Sequence, residues 1–374
     1  MSKRSSIEAF FTPSTAVKRK KAEDSGLSDV AYDKHTSYPI PLPSRFPFEL
    51  TTNPQYKSIT NQPDLDLTYH QPLFPASVAK DLYHFLRDEF CWYRVTYEVR
   101  GMTINTPRYT TVFGLDDTHV FTTPTFPNCR VHEKGTDRPP RKTLRCVPRP
   151  LPGCLTQLRT VIEGVTGARY NFCLLNYYKD GTDSISYHSD DESFLGPDPT
   201  IASLSLGCPR DFLMRNKADH GAGWRTTLRS GDMVVMKGTT QAKWDHAVPK
   251  RPKTSTTGRI NITFRRALVP AGTENYYRYN VHHGPYFRWD PAQATMVLGT
   301  SLVLPGPVVV SPAAARPEES FDPDASIRAI DAANPGSRTP VAVPGLAKEE
   351  SDDLSAQIRA IDEAVARANG SSSS

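Results

Sequence analysis

Three side chains spaced along the middle of the chain could meet at one metal ion. In NYYKDGTDSISYHSDDE, residues 176–192, His188 and Asp190 stand two apart. On an extended strand both would leave the same face and converge on one cation. His246, within KWDHAVP, offers a third donor. Two imidazoles and a carboxylate form the facial set of non-haem Fe(II) chemistry, which leaves three coordination positions open for a cosubstrate and O2. An H-x-D pair by itself is more often a pair of surface polar residues, so the weight falls on its neighbours. Thirteen residues past His246 begins RINITFR, 259–265, in which alternation puts Arg259, Asn261, Thr263 and Arg265 on one strand face. Four polar side chains, two of them guanidinium groups, are costly inside a barrel unless an anion satisfies them, and a small dicarboxylate would. An exposed edge strand with its basic face in water is the alternative.

The elements that must position these residues are short hydrophobic runs, β-branched or aromatic, broken by Gly, Pro, Asn and Asp across residues 46–270. ARYNFCLLNYY, IASLSLG, DMVVMKG and RINITFRR read as strands of a sandwich or barrel. VAKDLYHFLRDEF (78–90) and CLTQLRTVIEGV (154–165) carry apolar residues at helical spacing and are expected to pack outside it. The fold class is therefore mainly β with flanking helices. An aromatic-rich extension, residues 271–311, is expected to pack back on the 46–270 domain.

Apolar residues make up 38% of the 374, and the two ends mix Ser, Pro, charged residues and Ala with few large apolar side chains, so both are expected to be disordered tails. No apolar run approaches the roughly 20 residues of a membrane span, and the N-terminus lacks the hydrophobic stretch of a secretory signal. A soluble, intracellular chain with no membrane partner is expected. Its 6 cysteines include no C-x-x-C pair, which argues against a zinc cluster or a disulfide framework. From residue 312 onward there are 6 Lys/Arg against 11 Asp/Glu, so the net charge of +5 leaves +10 on residues 1–311, a body suited to a polyanion. Within the N-terminal tail, 1–45, Ile7, Phe10 and Phe11 fall at i, i+3, i+4 and could enter a hydrophobic pocket as one helical turn. Lys18-Arg19-Lys20-Lys21 is a basic run of nuclear-localisation type, which points to the nucleus. The acidic tail, 312–374, repeats itself: SIRAIDAA at 326–333 and QIRAIDEA at 357–364 are two short amphipathic helical motifs, either tethered sites for an unknown protein partner or a duplicated neutral tail.

Taken together, PRYTTVFG (107–114), LLNYYKDGTDSISYHSDDESFLG (174–196), SLSLGCPRDFLMR (203–215), WDHAVP (244–249) and RINITFR (259–265) resemble, in order, the AlkB family of Fe(II)/2-oxoglutarate dioxygenases that demethylate nucleic-acid bases. The resemblance implies a double-stranded β-helix, a jelly-roll barrel whose mouth holds the metal. It implies that His188, Asp190 and His246 bind Fe(II), and that Asn176, Tyr178, Arg259, Thr263 and Arg265 hold 2-oxoglutarate, with one arginine clamping its distal carboxylate. O2 is the second cosubstrate, succinate and CO2 are co-products, and the hydroxylated N-methyl group leaves as formaldehyde. No protein nucleophile is required.

The same resemblance places Asp191 and Glu192 near the target base, where negative charge suits the cationic 1-methyladenine and 3-methylcytosine over their neutral parents. It implies extrusion of that base from the stack. A hairpin finger falls on YEVRGMTINTPR, with Arg100 and Met102 at a tip that carries no aromatic. Arg215, Lys217, Arg251 and Lys253 match loops that grip the DNA backbone, or else form a solubilising cluster, and Phe121 is the candidate to stack on the flipped base. The Ile7/Phe10/Phe11 segment resembles a sliding-clamp-binding box, with Arg4 where that motif has Gln. The leading expectation is a monomeric DNA-repair demethylase. The same chemistry on RNA is the alternative, and a non-catalytic module that binds alkylation damage is the second alternative.

Overall fold

The computed structural model describes residues 31–35, 37–99, 102–121, 131–135, 149–190, 192–251, 257–268 and 285–299. Ile7, Phe10, Phe11, the basic run at 18–21, Arg100, Asp191, Lys253 and both C-terminal repeats lie outside the described residues.

Two sheets carry the fold. The larger runs, in spatial order, through Thr295–Leu298, Tyr286–Asp290, Trp92–Tyr93, Tyr109–Gly114, Phe172–Tyr178, Arg259–Arg265, Ile201–Gly207, Met233–Lys237, Asp66–His70 and Lys57–Ile59. The smaller orders Ile185–His188, Trp244–Val248, Arg210–Asn216 and Gly223–Leu228. The pairings within both are antiparallel. The four strands read from the sequence as ARYNFCLLNYY, IASLSLG, DMVVMKG and RINITFRR are central members of the larger sheet.

Period-two alternation assigns each face of that sheet its own cluster. On one face Cys173, Leu175, Tyr177, Ile260, Ile262 and Phe264 pack with Leu82 and Leu86 of helix Ala76–Glu89 and with Leu155, Leu158 and Ile162 of helix Gly153–Thr166. On the other, Val112, Leu174 and Met236 meet Phe212, Met214, Trp244 and Val248 of the smaller sheet. The helices therefore sit outside and the sheets face one another, a jelly-roll arrangement in which every residue of Arg259–Arg265 is buried. Gly167, at φ +70, closes the second helix by donating its N–H to the Glu163 carbonyl.

Residues 31–35 and 37–45 differ from the expectation of a disordered tail. Tyr32–Asp33 pairs with Leu42–Pro43, and Tyr38 and Leu42 are buried in the helix-side cluster. The Asp33 carboxylate accepts from the Ser44 hydroxyl at 2.8 Å and from the Gly153 N–H at 2.6 Å, tying the segment to the start of the second helix. Its apolar residues are isolated rather than periodic, so their burial depends on partners a hundred residues away. Within residues 285–299, Tyr286–Asp290 pairs with Trp92–Tyr93, and Arg87 lies 4.1 Å over the Trp289 ring.

Cys91, Cys154 and Cys173 are buried free thiols and Cys208 is a half-buried one. No helix among the described residues is long and apolar enough to cross a membrane.

Candidate active site

His188 ends the strand Ile185–His188, and His246 sits opposite it on Trp244–Val248. Their rings lie 4.2 Å apart between centroids, with Phe212 tilted against His246 at 5.5 Å. Asp190 lies beyond the strand end, so period-two geometry does not place it. Its backbone N–H donates instead to Oε1 of the buried Gln241 at 2.8 Å, which sets the carboxylate 3.8 Å from His188 Nε2. The potential ligand atoms of His188, Asp190 and His246 all fall within 4.8 Å of one another.

The local chemistry fits a divalent cation. His188 Nδ1 is 2.9 Å from the Ser186 carbonyl, which can only accept, so Nδ1 carries the proton and the Nε2 lone pair is left for a metal. Asp190 Oδ2 and His246 Nδ1 are buried without a hydrogen-bond partner, a state that costs free energy unless an ion supplies one. Burial lowers both imidazole pKa values, His246 to about 3, so both rings are neutral and able to ligate. For Asp190, burial acts upward, but Arg265, then His246 and His188, outweigh it and hold the carboxyl below its usual range.

An anion site adjoins the metal set. Cross-strand register puts Tyr178 opposite Arg259, Asn176 opposite Asn261, and Leu174 opposite Thr263, with Ser205 and Ser203 on the far side of the last two rungs. Arg259, 1% exposed, donates to Ser205 Oγ at 2.8 Å and lies over the Tyr178 ring. Its Nε and Nη1 have no hydrogen-bond partner, and no carboxylate pairs with it among the described residues. Burial, first, and then the like charge of Arg210 lower its pKa. A buried guanidinium with vacant donors fits the carboxylate of a dicarboxylic acid. The cavity between the two sites is lined by Asn176, Tyr178, Arg259, Asn261, Thr263 and Arg265 together with all three candidate metal ligands.

Arg265, at the opposite end of the strand from Arg259, is an ion-pair hub. Its Nη2 lies 2.8 Å from Asp190 Oδ1 and its Nη1 2.6 Å from Glu192 Oε1. Glu192 is thus held against the strand Arg259–Arg265, and burial raises its pKa despite that arginine.

Of the other expected substrate contacts, Phe121, Arg215, Lys217 and Arg251 are described with their surroundings. Phe121, in the strand His119–Phe121, stands edge-on to His35 at 5.9 Å and is not among the cavity-lining residues. The finger is present as the paired strands Thr96–Val99 and Met102–Asn105, and Met102 begins the second. Arg215 is stacked 4.1 Å over Tyr187 and paired with Asp245 at 3.1 Å. Lys217 donates to Ser189 Oγ at 2.7 Å and to the Gln241 carbonyl at 2.9 Å. Arg251 is paired with Asp211.

Sequence reasoning passed over Arg210 and Gln241. Arg210 is fully buried and donates to the carbonyls of Asp180, Asp183 and Pro249 at 2.7–3.0 Å, stapling the loop before Ile185–His188 to the chain that leaves Trp244–Val248. Its signal was weak: one arginine in GCPRDF, with no periodicity to show that it points inward. Arg108, Thr110, Tyr187 and Ser203 also line the cavity.

A family profile described as the 2OG-Fe(II) oxygenase superfamily matches residues 68–265. The chain is 32% identical over 241 residues to an Arabidopsis thaliana protein named DNA oxidative demethylase ALKBH2, covering 58% of this chain and 70% of that one. It is 40% identical over 129 residues to the Homo sapiens protein of that name, and 42% identical over 133 residues to the Rattus norvegicus alpha-ketoglutarate-dependent dioxygenase alkB homolog 3. These alignments cover 33% of this chain, and 49% and 44% of the two mammalian relatives, about half of their length. The profile spans more than half of the chain and contains the metal set and the arginine strand whole. The chain therefore belongs to the 2OG-Fe(II) oxygenase superfamily, in its AlkB branch.

Proposed function

We propose that the protein is an oxidative demethylase of N-alkylated DNA bases, of the 1-methyladenine and 3-methylcytosine type. The observation that carries the reading is the convergence of His188, Asp190 and His246 beside the partnerless donors of Arg259. In this reading the three side chains hold Fe(II). Arg259 takes one carboxylate of 2-oxoglutarate, and Asn176, Tyr178, Thr263 and Arg265 complete its pocket. When bound, the metal, 2-oxoglutarate and O2 supply the oxidation that puts a hydroxyl on the N-methyl carbon, with succinate and CO2 as co-products.

The chain's own residues prepare that step. Ser186 fixes the His188 tautomer, burial keeps both imidazoles unprotonated, and Arg265 keeps Asp190 ionised. Leu174, Ile185, Phe212 and Val248 wall the cavity with hydrocarbon, which strengthens each charge interaction inside it. Arg265 holds the Glu192 carboxyl next to Asp190, and a carboxylate there would favour a cationic methylated base over a neutral one. The hydroxymethylated base then releases formaldehyde without a protein nucleophile.

DNA as the polymer is supported by the names of the relatives and by the basic body of the chain. The nuclear-type run Lys18–Lys21 and the clamp-like Ile7, Phe10 and Phe11 point to action in the nucleus beside a sliding clamp. Deleting residues 1–21 is expected to abolish nuclear foci and clamp binding; foci that persist would remove that part of the reading. The substrate is tested by formaldehyde release from single-stranded DNA, duplex DNA and RNA, each carrying one 1-methyladenine. Release from DNA that requires Fe(II) and 2-oxoglutarate is expected. Turnover of RNA alone would select the RNA alternative, and binding without turnover would select the damage-binding module.

A further inference from the structure

Asp190 carries a burden that neither histidine does. His188 and His246 are strand residues, held by ladder hydrogen bonds, whereas Asp190 follows a strand end. Its placement depends on side chains from elsewhere in the fold. Gln241 Oε1 accepts from the Asp190 N–H at 2.8 Å, and the Gln241 amide reaches back to the Met236 sulfur at 3.1 Å. The Lys217 ammonium then donates at 2.7 Å to the hydroxyl of Ser189, the residue before Asp190, and at 2.9 Å to the Gln241 carbonyl. Lys217, Ser189, Asp190 and Gln241 thus close a ring of hydrogen bonds around the peptide that bears the carboxylate ligand. Ser189, Asp190 and Gln241 are all buried and Lys217 is half-buried, so water competes only weakly for these bonds. Lys217 is itself fixed through its backbone, which donates to the Lys243 carbonyl at 2.8 Å.

We propose that Lys217 is a positioning residue of the metal centre, whose ammonium locks Ser189 and Gln241 and so holds the Asp190 carboxylate at the cation. At least two of its three hydrogens are engaged inside the protein, which distinguishes it from a lysine presented to a phosphate. Groups that orient a metal ligand typically change metal affinity about 10- to 100-fold when removed. Lys217→Met in the full chain is therefore expected to weaken Mn(II) binding by that factor and to change the visible spectrum of the Co(II)-loaded protein, which reports ligand geometry. The salt dependence of its binding to a methylated oligonucleotide is expected to match that of the parent.

Unchanged Mn(II) affinity with an unchanged Co(II) spectrum would overturn the proposal, and a log–log salt slope reduced by about one would then assign Lys217 to a phosphate. Should Lys217→Met fail to fold, Ser189→Ala removes one acceptor of the same ring. A several-fold loss of Mn(II) affinity supports the proposal, and none overturns it. Metal affinity and metal spectrum do not depend on which polymer is demethylated, so this assignment and the proposed substrate fail separately.

Discussion

Nη2 of Arg265 lies 2.8 Å from Oδ1 of Asp190, so the strand that carries Arg259 and Arg265 is joined by charge to the loop that carries Asp190. Both side chains are almost wholly buried, and the same guanidinium also holds Glu192. Removing one member of a buried ion pair leaves an uncompensated charge, at a cost of about 3–5 kcal/mol. Arg265→Met is expected to destabilise the metal-free protein by that amount in urea unfolding. An unchanged midpoint would mean that the hub does not hold the two carboxylates in solution.

Arg259 is expected to behave in the opposite way. Its buried charge has no carboxylate partner among the described residues, so the ligand-free fold gains little from it. Arg259→Met is expected to leave urea stability unchanged or raised while weakening 2-oxoglutarate binding about 10- to 100-fold, the worth of hydrogen bonds to a charged group. Calorimetric titration of the Mn(II)-loaded protein reads the second effect. Loss of stability with unchanged affinity would reverse the assignment.

Acid acts on the two imidazoles before it acts on Asp190. Burial lowers the pKa of both His188 and His246 below the ordinary 6.5. Below about pH 6.5 the unfolded chain therefore binds protons that the folded chain refuses, and stability falls as pH falls. Two such groups give a slope of up to about 2.7 kcal/mol per pH unit. Asp190, held below its usual range, stabilises above the unfolded value near 3.9 and gives way only at lower pH. Urea midpoints of the metal-free protein between pH 7 and 5 should fall steeply, and His246→Ala should flatten the fall. A midpoint constant over that window would contradict the buried, neutral pair.

Arg210 joins the carbonyls of Asp180, Asp183 and Pro249 with two nitrogens, a fork that lysine cannot reproduce. Arg210→Lys is expected to cost about 1–3 kcal/mol of stability. It should also raise the KM for 2-oxoglutarate with little change in kcat, because Arg210 and Arg259 both pack on the Tyr178 ring. Urea unfolding and steady-state kinetics check the two halves; a variant as stable as the parent would show the staple to be dispensable.

Side chains that announce themselves through period and type were legible in the sequence. Arg259, Asn261, Thr263 and Arg265 do share the cavity face, because a strand buried on both sides must sort its residues by alternation. His188 and His246 likewise converge from neighbouring strands. Asp190 converges for a reason alternation does not supply, since Gln241 and the chain turn after His188 place it. Residues 31–45 looked like tail because their buried side chains, Tyr38 and Leu42, are too few and irregular to form a pattern. Arg215, Lys217 and Arg251 read as candidate phosphate contacts because charge is visible in a sequence, whereas Asp245, Ser189 and Asp211, which face them, become neighbours only once the smaller sheet forms.

The central claim is tested most directly by following formaldehyde and succinate released from an oligonucleotide bearing one 1-methyladenine, with the full chain and with Asp190→Ala side by side. The arrangement of His188, Asp190 and His246 predicts equal amounts of both products from the full chain, dependent on added Fe(II) and 2-oxoglutarate, and neither product from the variant. Formaldehyde release that survives in Asp190→Ala, or that proceeds without 2-oxoglutarate, would contradict it.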